Sequence, residues 1–81
     1  MGTGANSNSV NGVAIGTASY AKDYDNTIAI GFTSRASQLN TIAIGANSIS
    51  QQPNGIAIGN SARSADESAI AMGNGANASA Q

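Results

Sequence analysis

Apolar positions along this chain come in short alternating quartets, and the quartets recur. The order apolar-Ala-apolar-Gly reads Val13-Ala14-Ile15-Gly16, Ile28-Ala29-Ile30-Gly31, Ile42-Ala43-Ile44-Gly45, Ile56-Ala57-Ile58-Gly59 and Ile70-Ala71-Met72-Gly73. The closing glycines stand 15, 14, 14 and 14 residues apart, and Gly2 lies fourteen before Gly16, which places the start of the chain inside a further copy. Two variable positions after each glycine comes a second pattern, small-variable-small. It reads Ala5-Asn6-Ser7, Ser19-Tyr20-Ala21, Ser34-Arg35-Ala36, Ser48-Ile49-Ser50, Ala62-Arg63-Ser64 and Ala76-Asn77-Ala78. Asn precedes four quartets by two positions, at Asn11, Asn26, Asn40 and Asn54, and Ser68 takes that place in the fifth.

β-branched residues at alternating positions, closed by glycine, suit a short strand better than a helix. The repeat predicts strand, turn, strand, turn, with Gly16, Gly31, Gly45, Gly59 and Gly73 at turns and Asn at the other corner, where both tolerate positive φ. A chain wound this way stacks each strand in parallel on its copy one coil away, which gives an all-β solenoid rising about 4.8 Å per coil. Residues 1–81 form one array, a partial coil over 1–10 and five copies over 11–81. The extra residue falls between Ala21 and Asn26, and Pro53 falls in a later linker, both at corners where length and a missing N–H are tolerated.

Alternation puts Val13 and Ile15, Ile28 and Ile30, Ile42 and Ile44, Ile56 and Ile58, and Ile70 and Met72 on one face of their strands. Hydrophobicity assigns that face to the core, opposite the small residues of the second pattern. The other face then carries Ala14, Ala29, Ala43, Ala57 and Ala71 with Gly12, Thr27, Thr41, Gly55 and Ala69. A single coil this thin is marginal by burial alone, so the flat small face is expected to pack on identical chains.

Composition removes most other functions. Eighty-one residues at a formal charge of -1, with 9% charged residues, offer no basic face for nucleic acid. Cys and His are absent, which excludes disulfides, thiol or imidazole catalysis and the usual zinc sites, and no cofactor is expected. No apolar run approaches the roughly 18 residues of a membrane span, so the chain is expected to be soluble, or a soluble piece of a larger protein, without direct membrane insertion.

The acidic pairs Asp23/Asp25 and Asp66/Glu67 sit at expected corners, where no shielded cleft supports acid–base work. Asp23-Tyr24-Asp25 opens like a calcium loop, but Ile28 and Ser34 stand where Gly and Glu are required. Gly73-Asn74-Gly75-Ala76 lacks the following helix of a phosphate-binding turn, and Asn77-Ala78-Ser79 is a glycosylation sequon by letter only. No enzyme is indicated. Tyr20, Tyr24, Arg35 and Arg63 have the greatest recognition potential, and Tyr20, Arg35 and Arg63 are the candidate ligand-binding residues.

The recurring pattern, clearest as Asn26-Thr27-Ile28-Ala29-Ile30-Gly31 and Asn40-Thr41-Ile42-Ala43-Ile44-Gly45, resembles the head domain of YadA-type trimeric autotransporter adhesins over essentially the whole chain. The resemblance implies a left-handed parallel β-roll, although parallel crossovers in general favour the right hand. It also implies a side-by-side homotrimer and display on the outer membrane of a Gram-negative bacterium, above a stalk and barrel anchor that this sequence lacks. A head excised behind an added initiator methionine is the expectation. The implied function is attachment to host cells or extracellular-matrix proteins such as collagen or fibronectin, a virulence trait. Two other readings are an ice-binding solenoid, for which only Thr27 and Thr41 stack, and a passive spacer within the adhesin.

Overall fold

The structure, a computed structural model, describes residues 4–7, 11–21 and 26–78. Asp23, Tyr24 and Asp25, with the calcium-loop reading on them, lie outside the described residues, as do Gly2, Ser79 and much of the partial coil over 1–10.

Each coil contributes one three-residue and one two-residue strand. The three-residue strands are β2 (Val13–Ile15), β4 (Ile28–Ile30), β6 (Ile42–Ile44), β8 (Ile56–Ile58) and β10 (Ile70–Met72). The two-residue strands are β1 (Asn6–Ser7), β3 (Tyr20–Ala21), β5 (Arg35–Ala36), β7 (Ile49–Ser50), β9 (Arg63–Ser64) and β11 (Asn77–Ala78). They build two parallel sheets, ordered β10-β8-β6-β4-β2 and β1-β3-β5-β7-β9-β11. Equivalent residues stack in register: Ile28 on Ile42, Ala29 on Ala43, Ile30 on Ile44. Val13 pairs with Ile28 and Ala21 with Ala36 across the longer fifteen-residue step, so the extra residue falls within 22–25 and leaves both sheets undisturbed.

Backbone hydrogen bonds join coil to coil at the corners as well as in the strands. Gly45 N–H donates to the Ile30 carbonyl at 2.7 Å, and Asn47 N–H to that of Phe32 at 2.8 Å. Gly16, Gly31, Gly45, Gly59 and Gly73 have φ between 116° and 131°, outside the range of an L side chain. Space is as restrictive as conformation: a Cβ on Gly45 would lie 2.5 Å from the Gly59 carbonyl oxygen. The opposite corner uses Asn11, Asn26, Asn40 and Asn54 at φ of 58° to 62°. Their side-chain amides form a ladder, each Nδ2 donating to the next Oδ1 at 3.0, 2.9 and 3.2 Å. Asn therefore supplies both the left-handed turn and a bond along the stack.

The interior reverses the sequence expectation. Ala14, Ala29, Ala43, Ala57 and Ala71, expected at an interface between chains, point into the coil and are buried. The residues expected in the core, Val13, Ile15, Ile28, Ile30, Ile42, Ile44, Ile56, Ile58, Ile70 and Met72, are the ones left half-buried or exposed; Ile15 is 41% and Met72 64% exposed. The reason is room. Corners this tight close a fourteen-residue coil around four inward side chains, in the third coil Thr41, Ala43, Ser48 and Ser50, all fully buried. The molecule measures only 11 Å along its thinnest axis. Isoleucine at those positions would overfill the interior and force the stacked backbones apart, a larger penalty than its exposure.

Most polar members of this interior are paired locally, whereas the buried Ser50 Oγ has no hydrogen-bond partner among the described residues. The Ser19, Ser34 and Ser48 hydroxyls donate to the carbonyls of Gly16, Gly31 and Gly45 at 2.9, 3.0 and 2.8 Å, and Thr41 Oγ1 donates to the Gln38 carbonyl at 2.7 Å. Space is short at the threonine position of the fourth coil, where Gly55 stands: a Cβ there would lie 2.6 Å from Ser64 Oγ and 2.9 Å from Ser50 Oγ. Burial of Thr27 and Thr41 also removes the threonine array that an ice-binding face requires.

Candidate functional site

With small residues inside, the two outer faces carry what recognition the solenoid has. The first is the outside of the five-stranded sheet. Parallel register aligns Val13, Ile28, Ile42, Ile56 and Ile70 in one column and Ile15, Ile30, Ile44, Ile58 and Met72 in a second. The columns are about 6.7 Å apart and the face about 24 Å long by strand spacing. Each central isoleucine is partly covered by its neighbours above and below, while Val13 and Ile70 at the ends are 38% and 59% exposed. Contiguous aliphatic faces of this kind are uncommon on water-exposed molecules and are characteristic of contact surfaces. Phe32, 56% exposed, adds apolar surface at the glycine corner of the second coil, and Leu39 is exposed near the asparagine corner. Neither was singled out from the sequence, because neither belongs to the repeat.

The second face is the outside of the six-stranded sheet. Tyr20, Arg35, Ile49, Arg63 and Asn77 stack there in one column, one residue per coil. The sequence candidates Tyr20, Arg35 and Arg63 are thus brought onto a single line, with Ile49 between the two arginines. The Arg35 guanidinium lies 5.6 Å from the centroid of the Tyr20 ring, within cation–π range. Arg63 Nε donates to Gln51 Oε1 at 3.0 Å. Beside the column lies a hollow of about 340 Å³, lined by Ala18, Tyr20, Thr33, Ser34, Arg35 and Ile49. It is shallow and open, without the enclosure that catalysis at a carboxylate or hydroxyl would need. Asp66 and Glu67 stand at a corner, apart from this column.

Among the described residues, no group of three or more His, Cys, Asp or Glu converges to hold a metal ion. Among the same residues, no helix is long and apolar enough to cross a membrane.

The family model of the YadA head domain repeat matches residues 25–48, 51–76 and 67–81. No curated protein and no solved structure matches the chain. The matched segments cover most of the sequence and coincide with the stacked coils, each bringing the same glycine corner and aliphatic pair. The chain belongs to the YadA head-repeat family and is an adhesin head module of that type.

Proposed function

We propose that the coils wind left-handed, associate side by side as a homotrimer, and stand on the outer surface of a Gram-negative cell, where they attach it to host cells or to extracellular-matrix proteins such as collagen or fibronectin. The observation that carries this reading is the aliphatic face of the five-stranded sheet, ten side chains in strict register with nothing charged among them. A face repeated identically along the axis fits another copy of itself at every coil. Covering it contributes about 1 kcal/mol for each side chain that its neighbours already half shield, enough over three copies to offset the cost of association. The trimer contact therefore falls on Val13, Ile15 and their equivalents, and the buried alanines set how thin each protomer is. Three copies would also present the varied column of the opposite sheet three times, so that weak individual contacts act together.

Sedimentation equilibrium tests the assembly: a mass three times that of the chain is expected, and a stable monomer at micromolar concentration overturns it. Retention on surfaces coated with collagen or fibronectin tests attachment, with an uncoated surface as control. A trimer that binds neither is the behaviour of a passive spacer.

A further inference from the structure

The column Tyr20-Arg35-Ile49-Arg63 holds two of the three cationic side chains of the sequence. Both guanidinium groups make their contacts with neutral partners, the Tyr20 ring and the Gln51 amide, and among the described residues neither is engaged by a carboxylate. These contacts hold the two forks in place and leave their remaining N–H donors for an incoming group, which lowers the ordering cost of binding. Arg35 and Arg63 are two coils apart, about 9.6 Å by strand spacing, with Ile49 in the coil between.

We propose that this column binds an extended acidic segment of a partner protein, a polyproline-II chain with carboxylates three residues apart. Each carboxylate accepts a forked pair of hydrogen bonds from one arginine, and an intervening apolar side chain enters the hollow beside Ile49. The spacing selects the conformation. Polyproline II has three residues per turn and rises 3.1 Å per residue, so positions i and i+3 share a face about 9.3 Å apart. On a β-strand, side chains of one face recur at about 6.7 and 13 Å, and neither fits two coils. The intervening residues turn aside from the column, toward the hollow that reaches the Ala18 and Thr33 corners. Sulfated polysaccharide is a poorer match: two cations on a chain of net charge -1 make no field for a polyanion, and Tyr20 and Ile49 offer apolar surface that a glycan does not use. Because the column lies on the sheet opposite the aliphatic face, lateral association leaves it open; in this respect the proposal rests on the attachment reading.

The test uses the whole chain and a fluorescently labelled proline-rich peptide carrying Glu at i and i+3 with Leu between them, read by anisotropy at low salt. Saturable binding is expected, weakened at least tenfold when both Glu are replaced by Gln or moved to i and i+2. Arg35→Ala and Arg63→Ala are each expected to weaken binding about fivefold or more, with far-ultraviolet circular dichroism unchanged because both side chains point outward. Equal binding of the Gln peptide, indifference to both arginine substitutions, or binding to heparin in place of the peptide would overturn the proposal. Retention on matrix-coated surfaces without peptide binding overturns it while leaving the attachment reading intact. Peptide binding without matrix retention supports it and counts against that reading.

Discussion

On the outside of the five-stranded sheet the same kind of residue returns in every coil, whereas the column on the other sheet runs Tyr20, Arg35, Ile49, Arg63. The backbone beneath is the same in both cases, two parallel ladders of one register. In the proposed assembly the difference lies in what each face meets. A face that meets a copy of itself keeps one chemistry along its length, because every coil makes the same contact. A face that meets something else is free to vary, and its pattern over several coils becomes the specificity. Beneath both lies the alanine and serine interior, which sets their spacing and contributes to neither contact directly.

Substitutions separate these three layers by size of effect. The largest is expected for Gly45→Ala, which forces an L residue to φ 125° and places its Cβ 2.5 Å from the Gly59 carbonyl oxygen. The loss is at least about 3 kcal/mol, since conformational strain and backbone collision add. Both outer faces are lost together as the stack parts, seen as disappearance of the β signal in circular dichroism. Next, Ala43→Leu overfills a fully buried position and costs about 1–3 kcal/mol or more, measured by chemical denaturation. If that variant were as stable as the parent, the assignment of inside and outside would be wrong.

Smaller again is the effect of Ile44→Ser, on the outer aliphatic face. The protomer keeps its β spectrum, but association weakens about tenfold or more, from the loss of one aliphatic contact per copy, in sedimentation. A drop in protomer stability as large as that of Ala43→Leu would erase the contrast between interior and contact face. The smallest change belongs to Arg63→Ala, whose side chain is exposed and hydrogen-bonded to Gln51. Thermal stability should stay within about 0.5 kcal/mol of the parent, and the mass measured by sedimentation should equal that of the parent.

Much of this architecture was legible in the sequence. The spacing of Gly16, Gly31, Gly45, Gly59 and Gly73, fourteen residues in every step but the first, sets the coil length, and alternation within each quartet sets the strand. Together they predict the parallel register that aligns Tyr20, Arg35 and Arg63. Which face turned inward was not legible from hydrophobicity, because period-two alternation defines two faces without ranking them by the space available. A sharper signal lay in the repeat itself. The middle residue of the quartet is Ala in all five copies, while its neighbours range over Val, Ile and Met. A position that admits one small residue only is short of space, and shortage of space marks the interior. The hollow beside Arg35 and the exposed Phe32 were hidden for another reason: they arise where particular coils depart from the repeat, and periodicity averages such departures away.

The ladder that joins each coil to the next also decides how this protein gives way under load. Hydrogen bonds of both sheets and both corners run along the stack, so tension applied between its two ends peels the outermost coil before disturbing those behind it. Each coil released pays out about 43 Å of slack, fourteen extended residues less one strand spacing. Force spectroscopy on a single chain should show a regular staircase of that step, and one long rip would contradict coil-by-coil release. An attachment organ built this way lengthens in small instalments against a tug, and each step taken is available to rewind when the pull relaxes.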